Sequence, residues 1–258
     1  MKTVLFMALF IYLAVVAYVY FTQDSKIFNY AQIEKSPPIE LKGSEKVSLE
    51  VAKGVVLHGV YEKSKQNDAP LIIYFGGNSD DATRFLLYVE GLKDFNILAF
   101  NYRGYMDSGG KPSEKNLFKD AIKIYDKFAK NLKVILIGRS LGTGVASYLA
   151  SKREVKGLVL ITPYDSIASL AKEKYPYLPI DLLLKYKFES TKYISKIKTP
   201  VAIIEVKDDI TVPNTNTAKL IKKIKNLVLF AELTNTTHAE VFHHPDFEKT
   251  LKEAILKF

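Results

Sequence analysis

VILIGRSLGTGVA, Val134 to Ala146, sets an apolar run against Gly138-Arg139-Ser140-Leu141-Gly142 and then continues as a helix-like segment. One serine between two glycines, where a strand turns directly into a helix, is the arrangement a strained turn needs to expose a hydroxyl. The glycines remove side chains that would collide in so sharp a bend. A helix starting near Leu141 aims its amino terminus at that hydroxyl and favours negative charge developing there. Taken alone, the pattern also fits a tight turn holding a small residue, so the rest of the chain has to decide.

Working outward, strand-like runs alternate with helix-like ones. Val47 to Val51 and Val55 to Tyr61 read as an opening pair joined at Gly54. Leu71 to Phe75, Phe95 to Asn101, Val134 to Ile137, Gly157 to Ile161, Val201 to Val206 and Leu227 to Leu233 follow. The middle runs are nearly continuous in Val, Ile, Leu and Phe, as strands covered on both faces are. Between them lie amphipathic segments. In Leu117 to Phe128, one stripe carries Leu117, Ala121, Tyr125 and Phe128, with Lys119, Lys123 and Asp126 off it. Helices are also expected over Thr143 to Ala150, Lys219 to Lys225 and Phe247 to Phe258. This alternation predicts an α/β fold with a mainly parallel sheet flanked by helices. Ligand chemistry in such sheets gathers beyond the carboxyl ends of the strands, and the reactive residues are sought there.

A serine hydroxyl needs a base. The chain has four histidines. His58 lies inside a strand-like run and reads as an exposed strand position. His243 and His244 adjoin Pro245 and read as capping or solvated residues. His238 follows the last strand-like run, in the loop NTTHAE, where a base belongs. The base needs an orienting carboxylate. VAIIEVKDDITVP offers Asp208 and Asp209, between which spacing does not choose. The resulting order is serine, aspartate, histidine. LIIYFGGNS supplies Gly76-Gly77-Asn78 after another strand, and the backbone amides of Asn78 and Leu141 are the expected oxyanion donors.

With these residues in place, the chain resembles the α/β-hydrolase superfamily over about residues 45–258, on YFGGNSDD, NYRGYMDSGGKPSE, GRSLGTGVA, VKDDITVP and TTHAE. It is most similar to the membrane-anchored, small-lid branch described as serine-aminopeptidase-like, which includes depalmitoylases. The resemblance implies an α/β-hydrolase fold with a short helical lid at about 163–199. It places the acid on Asp209, with Val212-Pro213 in register. Three departures stand out: Glu205-Val206 where the family has histidine-glycine, Gly76 where the oxyanion loop begins with histidine, and Thr237 where glycine precedes the base. The implied function is a serine esterase or thioesterase with a Ser140–His238–Asp209 catalytic triad and an acyl-enzyme intermediate, requiring no metal or organic cofactor. The alternatives are a peptidase on short peptides and a non-catalytic tethered binding protein. In the lid, Tyr175, Tyr177, Leu178 and Leu182 to Leu184 either line an acyl groove or pack the lid down.

The amino terminus is a different material. Thr3 to Phe21 carries no charge, and nineteen helical residues reach about 28 Å, close to the hydrocarbon thickness of a bilayer. Residues 1–23 are read as a transmembrane anchor in preference to a cleaved signal segment, because bulky Tyr18 to Phe21 prolong the run past Val15-Val16-Ala17. Residues 24–45, with Ser36-Pro37-Pro38, read as a linker, and 46–258 as the hydrolase domain. The short amino-terminal flank favours an extracytoplasmic domain.

Composition bounds the rest. An apolar content of 48% over 258 residues supports a large core, and the absence of cysteine excludes disulfides and a thiol nucleophile. The formal charge of +9 comes from scattered lysines. It reads first as a solvated surface, second as attraction to anionic lipid and third as nucleic-acid binding, for which no recognition motif is present; the resemblance and the amino-terminal segment imply a lipid-like or small acyl substrate and a membrane as partners, not nucleic acid.

Overall fold

The computed structural model describes residues 1–33, 41 and 43–258. An eight-stranded sheet runs in the order β1-β2-β4-β3-β5-β6-β7-β8. β1 (Ser44–Ala52) and β2 (Val55–Glu62) form an antiparallel hairpin, and β2 joins β4 (Asn96–Phe100) antiparallel. From β4 the sheet is parallel through β3 (Leu71–Phe75), β5 (Val134–Arg139), β6 (Gly157–Ile161), β7 (Val201–Val206) and β8 (Leu227–Leu233).

The two-sided apolar runs divide by alternation. Leu71, Ile73, Leu136 and Leu160 enter one core, and Ile72, Tyr74, Ile135 and Ile137 enter the other. The first is covered by α3 (Glu114–Phe128), α4 (Leu141–Ala150) and α7 (Ser190–Ile194), and the second by α9 (Phe247–Ile255) and the 3-10 turns at 82–92. β8 is one of the two edge strands, opposite β1, and, unlike β3 to β7, is only partly buried.

Several boundaries move. α3 starts at Glu114 because Ser113 accepts the Asn116 amide and caps it. Its buried face runs through Leu117, Phe118, Ala121 and Ile124, while Tyr125 and Phe128 of the expected stripe are only half-buried. The stripe is turned because Asp120 is drawn inward by a bidentate ion pair with Arg103, at 2.6 and 2.7 Å. The helix expected over 219–225 is α8 (Asn214–Ile221), which begins directly after Pro213. The lysine-rich stretch beyond it is a turn.

Between β6 and β7 lie α5 (Ile167–Lys174), α6 (Ile180–Leu183) and α7. The base of this segment is pinned. Phe188 is buried, and the Glu114 carboxylate accepts the amides of Lys187 and Phe188 at 2.9 and 3.1 Å.

α1 (Lys2–Ile27) is one continuous helix, long and apolar enough to cross a membrane. α2 (Tyr30–Ile33) follows. Two residues of the stretch expected as a linker, Phe28 and Ile33, are buried in the core, Phe28 edge-on to Tyr186 and Phe188. Ser36-Pro37-Pro38 lies outside the described residues.

Candidate active site

Ser140 stands between β5 and α4 at φ 48°, ψ −117°, a backbone conformation that side chains rarely occupy. The neighbouring glycines make it possible. A Cβ on Gly138 would lie 2.5 Å from the Gly142 carbonyl oxygen, and one on Gly142 would lie 2.0 Å from that of Phe75. The turn is held by the Ser140 amide donating to Ile161 O at 2.9 Å, and by the Thr143 hydroxyl donating to Ser140 O at 2.6 Å. The helix therefore starts with its first turn pressed against the ends of β3 and β5, and Ser140 projects above them.

Three side chains far apart in sequence meet there. His238 Nε2 lies 2.9 Å from Ser140 Oγ, and His238 Nδ1 lies 2.7 Å from Asp209 Oδ2. Asp209 is buried. Its other oxygen accepts the amides of Thr211 and Val212 at 2.8 and 2.9 Å, so the carboxylate cannot swing away without stranding two donors. Asp208 is exposed at φ 56°. The positive φ turns the chain between the two aspartates, and only the second faces the imidazole. The remaining histidines lie elsewhere: His58 is exposed on β2, His243 is exposed beside Tyr88, and His244 accepts the Asp246 amide.

Asn78 and Leu141 line the same cavity as Ser140 and His238. Among the described residues, neither backbone amide has a protein acceptor, whereas the peptide units around Asn78 are braced on every side. Tyr102 donates to Gly76 O and Tyr105 to Asn78 O, both at 2.9 Å, and the Gly77 amide donates to Asp80 at 2.7 Å. Burial pushes both tyrosine hydroxyls well above their ordinary range, so they serve as neutral donors.

Sequence reasoning missed this bracing, and above all its centre. Arg139, 7% exposed, pairs with Asp80 and donates through its other terminal nitrogen to His238 O at 2.8 Å and Ala239 O at 3.4 Å. One guanidinium thus ties the Gly76–Asn78 loop to the His238 loop. Burial opposes its charge, and Asp80, with Tyr74 and Tyr88, more than offsets that and raises its pKa. The signal was present. A cation ending a strand covered on both faces, as Arg139 ends VILIGR, requires a buried anion, and Asp80 in YFGGNSDD is that anion.

The cavity beside Ser140 measures about 720 Å³, within the range of small-molecule sites. Its walls are mainly apolar, with Leu170, Tyr175, Leu183 and Leu184 from the lid. The lid residues therefore divide: Tyr175, Leu183 and Leu184 line the space, while Tyr177 and Leu182 are exposed.

No family model matches the chain. An uncharacterized protein of Mycobacterium tuberculosis is 30% identical over 190 residues, 70% of this chain and 67% of that protein. The lysophosphatidylserine lipase ABHD12 of Danio rerio is 33% identical over 178 residues, 59% of this chain, and the chain spans 47% of that relative's length. The α/β hydrolase GrgF from Penicillium superposes at a TM-score of 0.65 with 15% identity, over 83% of this chain and 97% of that one. With the strand order, the serine turn and these relatives agreeing, the chain belongs to the α/β-hydrolase superfamily.

Proposed function

We propose that the protein is a serine hydrolase that cleaves carboxylic esters or thioesters of lipid-like acyl groups and is anchored to a membrane by α1. The observation that carries this is the hydrogen-bonded line Ser140–His238–Asp209 at the mouth of an apolar cavity.

In this reading Ser140 Oγ attacks the acyl carbonyl as His238 Nε2 removes its proton. Asp209 holds the imidazole with Nε2 toward the serine and stabilises the imidazolium. The oxyanion is received by the amides of Asn78 and Leu141, with the amino terminus of α4 behind them. Collapse breaks the bond to the alkoxide or thiolate, which takes the proton from His238. Water then attacks the acyl-serine, gives its proton to the same nitrogen, and the acid leaves as Ser140 is reprotonated. The similarity to a relative named as a lysophosphatidylserine lipase and the apolar lining both support an acyl substrate.

A fluorophosphonate probe tests the reading. Folded protein should be labelled covalently, and Ser140→Ala should not. Folded wild-type protein that resists labelling while a control esterase reacts would overturn the assignment of Ser140.

A further inference from the structure

α1 is more than a tether, because one face of it touches the lid. Tyr12, Val16, Val19, Gln23 and Ile27 recur at steps of four, three, four and four residues, the spacing of a single helical stripe. Gln23, only 4% exposed, splints the lid backbone. Its Nε2 donates to Leu183 O at 3.1 Å and its Oε1 accepts the Lys185 amide at 2.7 Å. Eleven residues earlier, the Tyr12 hydroxyl donates to Tyr177 O at 3.3 Å. The lid tip therefore runs beside α1 for about 16 Å.

That distance fixes a depth. If Thr3 to Phe21 spans the hydrocarbon, Tyr12 sits about 14 Å from its end, roughly one leaflet deep. The tip is made for such surroundings. Tyr175 to Leu184 reads YPYLPIDLLL, and its one charge, Asp181, is paired with Lys172 at 2.8 Å. Tyr177 and Leu182 are 89% and 86% exposed, with no protein covering them. Two cations mark the other end of the contact, Lys26 over the Tyr18 ring and Lys185 over the Tyr20 ring, where head groups would be. Val19, Gln23 and Ile27 also line the cavity that holds Ser140 and His238.

We propose that the lid tip is a second membrane element, seated in the leaflet from which α1 emerges, and that the cavity takes the acyl chain of a bilayer lipid directly from that leaflet along the α1 wall. This rests on the reading of α1 as a span and of Ser140 as the nucleophile. The membrane helix then forms part of the substrate site, and the substrate never has to cross water.

The chain has no cysteine, so single nitroxide labels can be placed cleanly. Full-length Tyr177→Cys, Leu182→Cys and, as an exposed reference, Glu90→Cys are labelled and reconstituted in vesicles of 3:1 phosphatidylcholine and phosphatidylglycerol. The two lid labels should be accessible to oxygen and shielded from a water-soluble nickel chelate, and the reference the reverse. Lid labels as chelate-accessible as the reference would overturn the proposal. In parallel, Tyr177→Asp/Leu182→Asp should lower turnover of a long-chain ester carried in those vesicles by about tenfold or more, and that of a soluble acetate ester by less than twofold. Equal effects on the two esters would also overturn it. The label depth is read without turnover, so a failure of Ser140 as nucleophile would appear separately, as both esterase activities surviving Ser140→Ala.

Discussion

The rim around Ser140 and the lid above it are both built from connecting segments, yet they are held in opposite ways. At the rim, nearly every polar group is used more than once. Arg139 serves Asp80 and two carbonyls of the His238 loop, Asp209 serves one imidazole and two amides, and two buried tyrosines fix the carbonyls flanking the free Asn78 amide. The lid is pinned at its base by Phe188 and Glu114, but α5 buries no residue, and the tip leans on α1 and on α5 through the Lys172–Asp181 pair. Charge developing in a transition state needs donors that do not reorganise, and such donors need cross-bracing. A substrate whose chain length varies needs walls that can give.

This contrast predicts that rim variants harm every substrate alike, whereas lid variants discriminate between them. Ser140→Ala should have the largest effect, lowering turnover about a million-fold on soluble and membrane-borne esters equally. Asp209→Asn should cost roughly ten-thousand-fold in kcat, and Asp208→Asn only a few-fold. A larger loss from the Asp208 variant would transfer the acid role and break the comparison at its best-braced point. Arg139→Met should strand a buried carboxylate and two carbonyls. Unfolding should become easier by about 3–5 kcal/mol in a denaturant titration, and kcat should fall by roughly ten- to a hundred-fold with KM little changed, since only the positions of reacting groups shift. A rise in KM with kcat intact would place Arg139 with the substrate walls instead.

The smallest effect concerns Glu205, at the departure from the family's histidine-glycine pair. It is buried beneath the acid loop, and burial raises its pKa, with Asn214 and Thr217 opposing and Glu232 and Asp209 reinforcing the shift. The sign follows from linkage. With the folded value above the unfolded one, the contribution of the protonated group to stability is fully present below the unfolded value. It is lost as pH rises through the folded value. Glu205→Gln, which keeps the neutral shape, should therefore raise Tm by a few degrees at pH 7.5, with the gain shrinking toward pH 4. Activity on both esters should persist, because Glu205 braces neither His238 nor the Gly76–Asn78 loop.

Much of this was legible before folding was considered. The six parallel strands announce themselves as mainly apolar runs, nearly continuous in the middle of the sheet, and Ser140, His238 and the Asp208-Asp209 pair each follow one, because strand periodicity and glycine placement are local signals. Other features depended on where distant loops meet. Spacing left both aspartates open, and the φ of Asp208 decided which carboxylate faces the ring. Arg139 advertised a need for a partner without naming Asp80. α1 shows no polar face in its sequence, so nothing local marks Val19 and Gln23 as the side that meets the lid. Local patterns specify which way a backbone runs and what it wants to bury. Which groups end up within three ångströms of one another is set by the packing of the whole sheet and its loops, and that is where the chemistry lies.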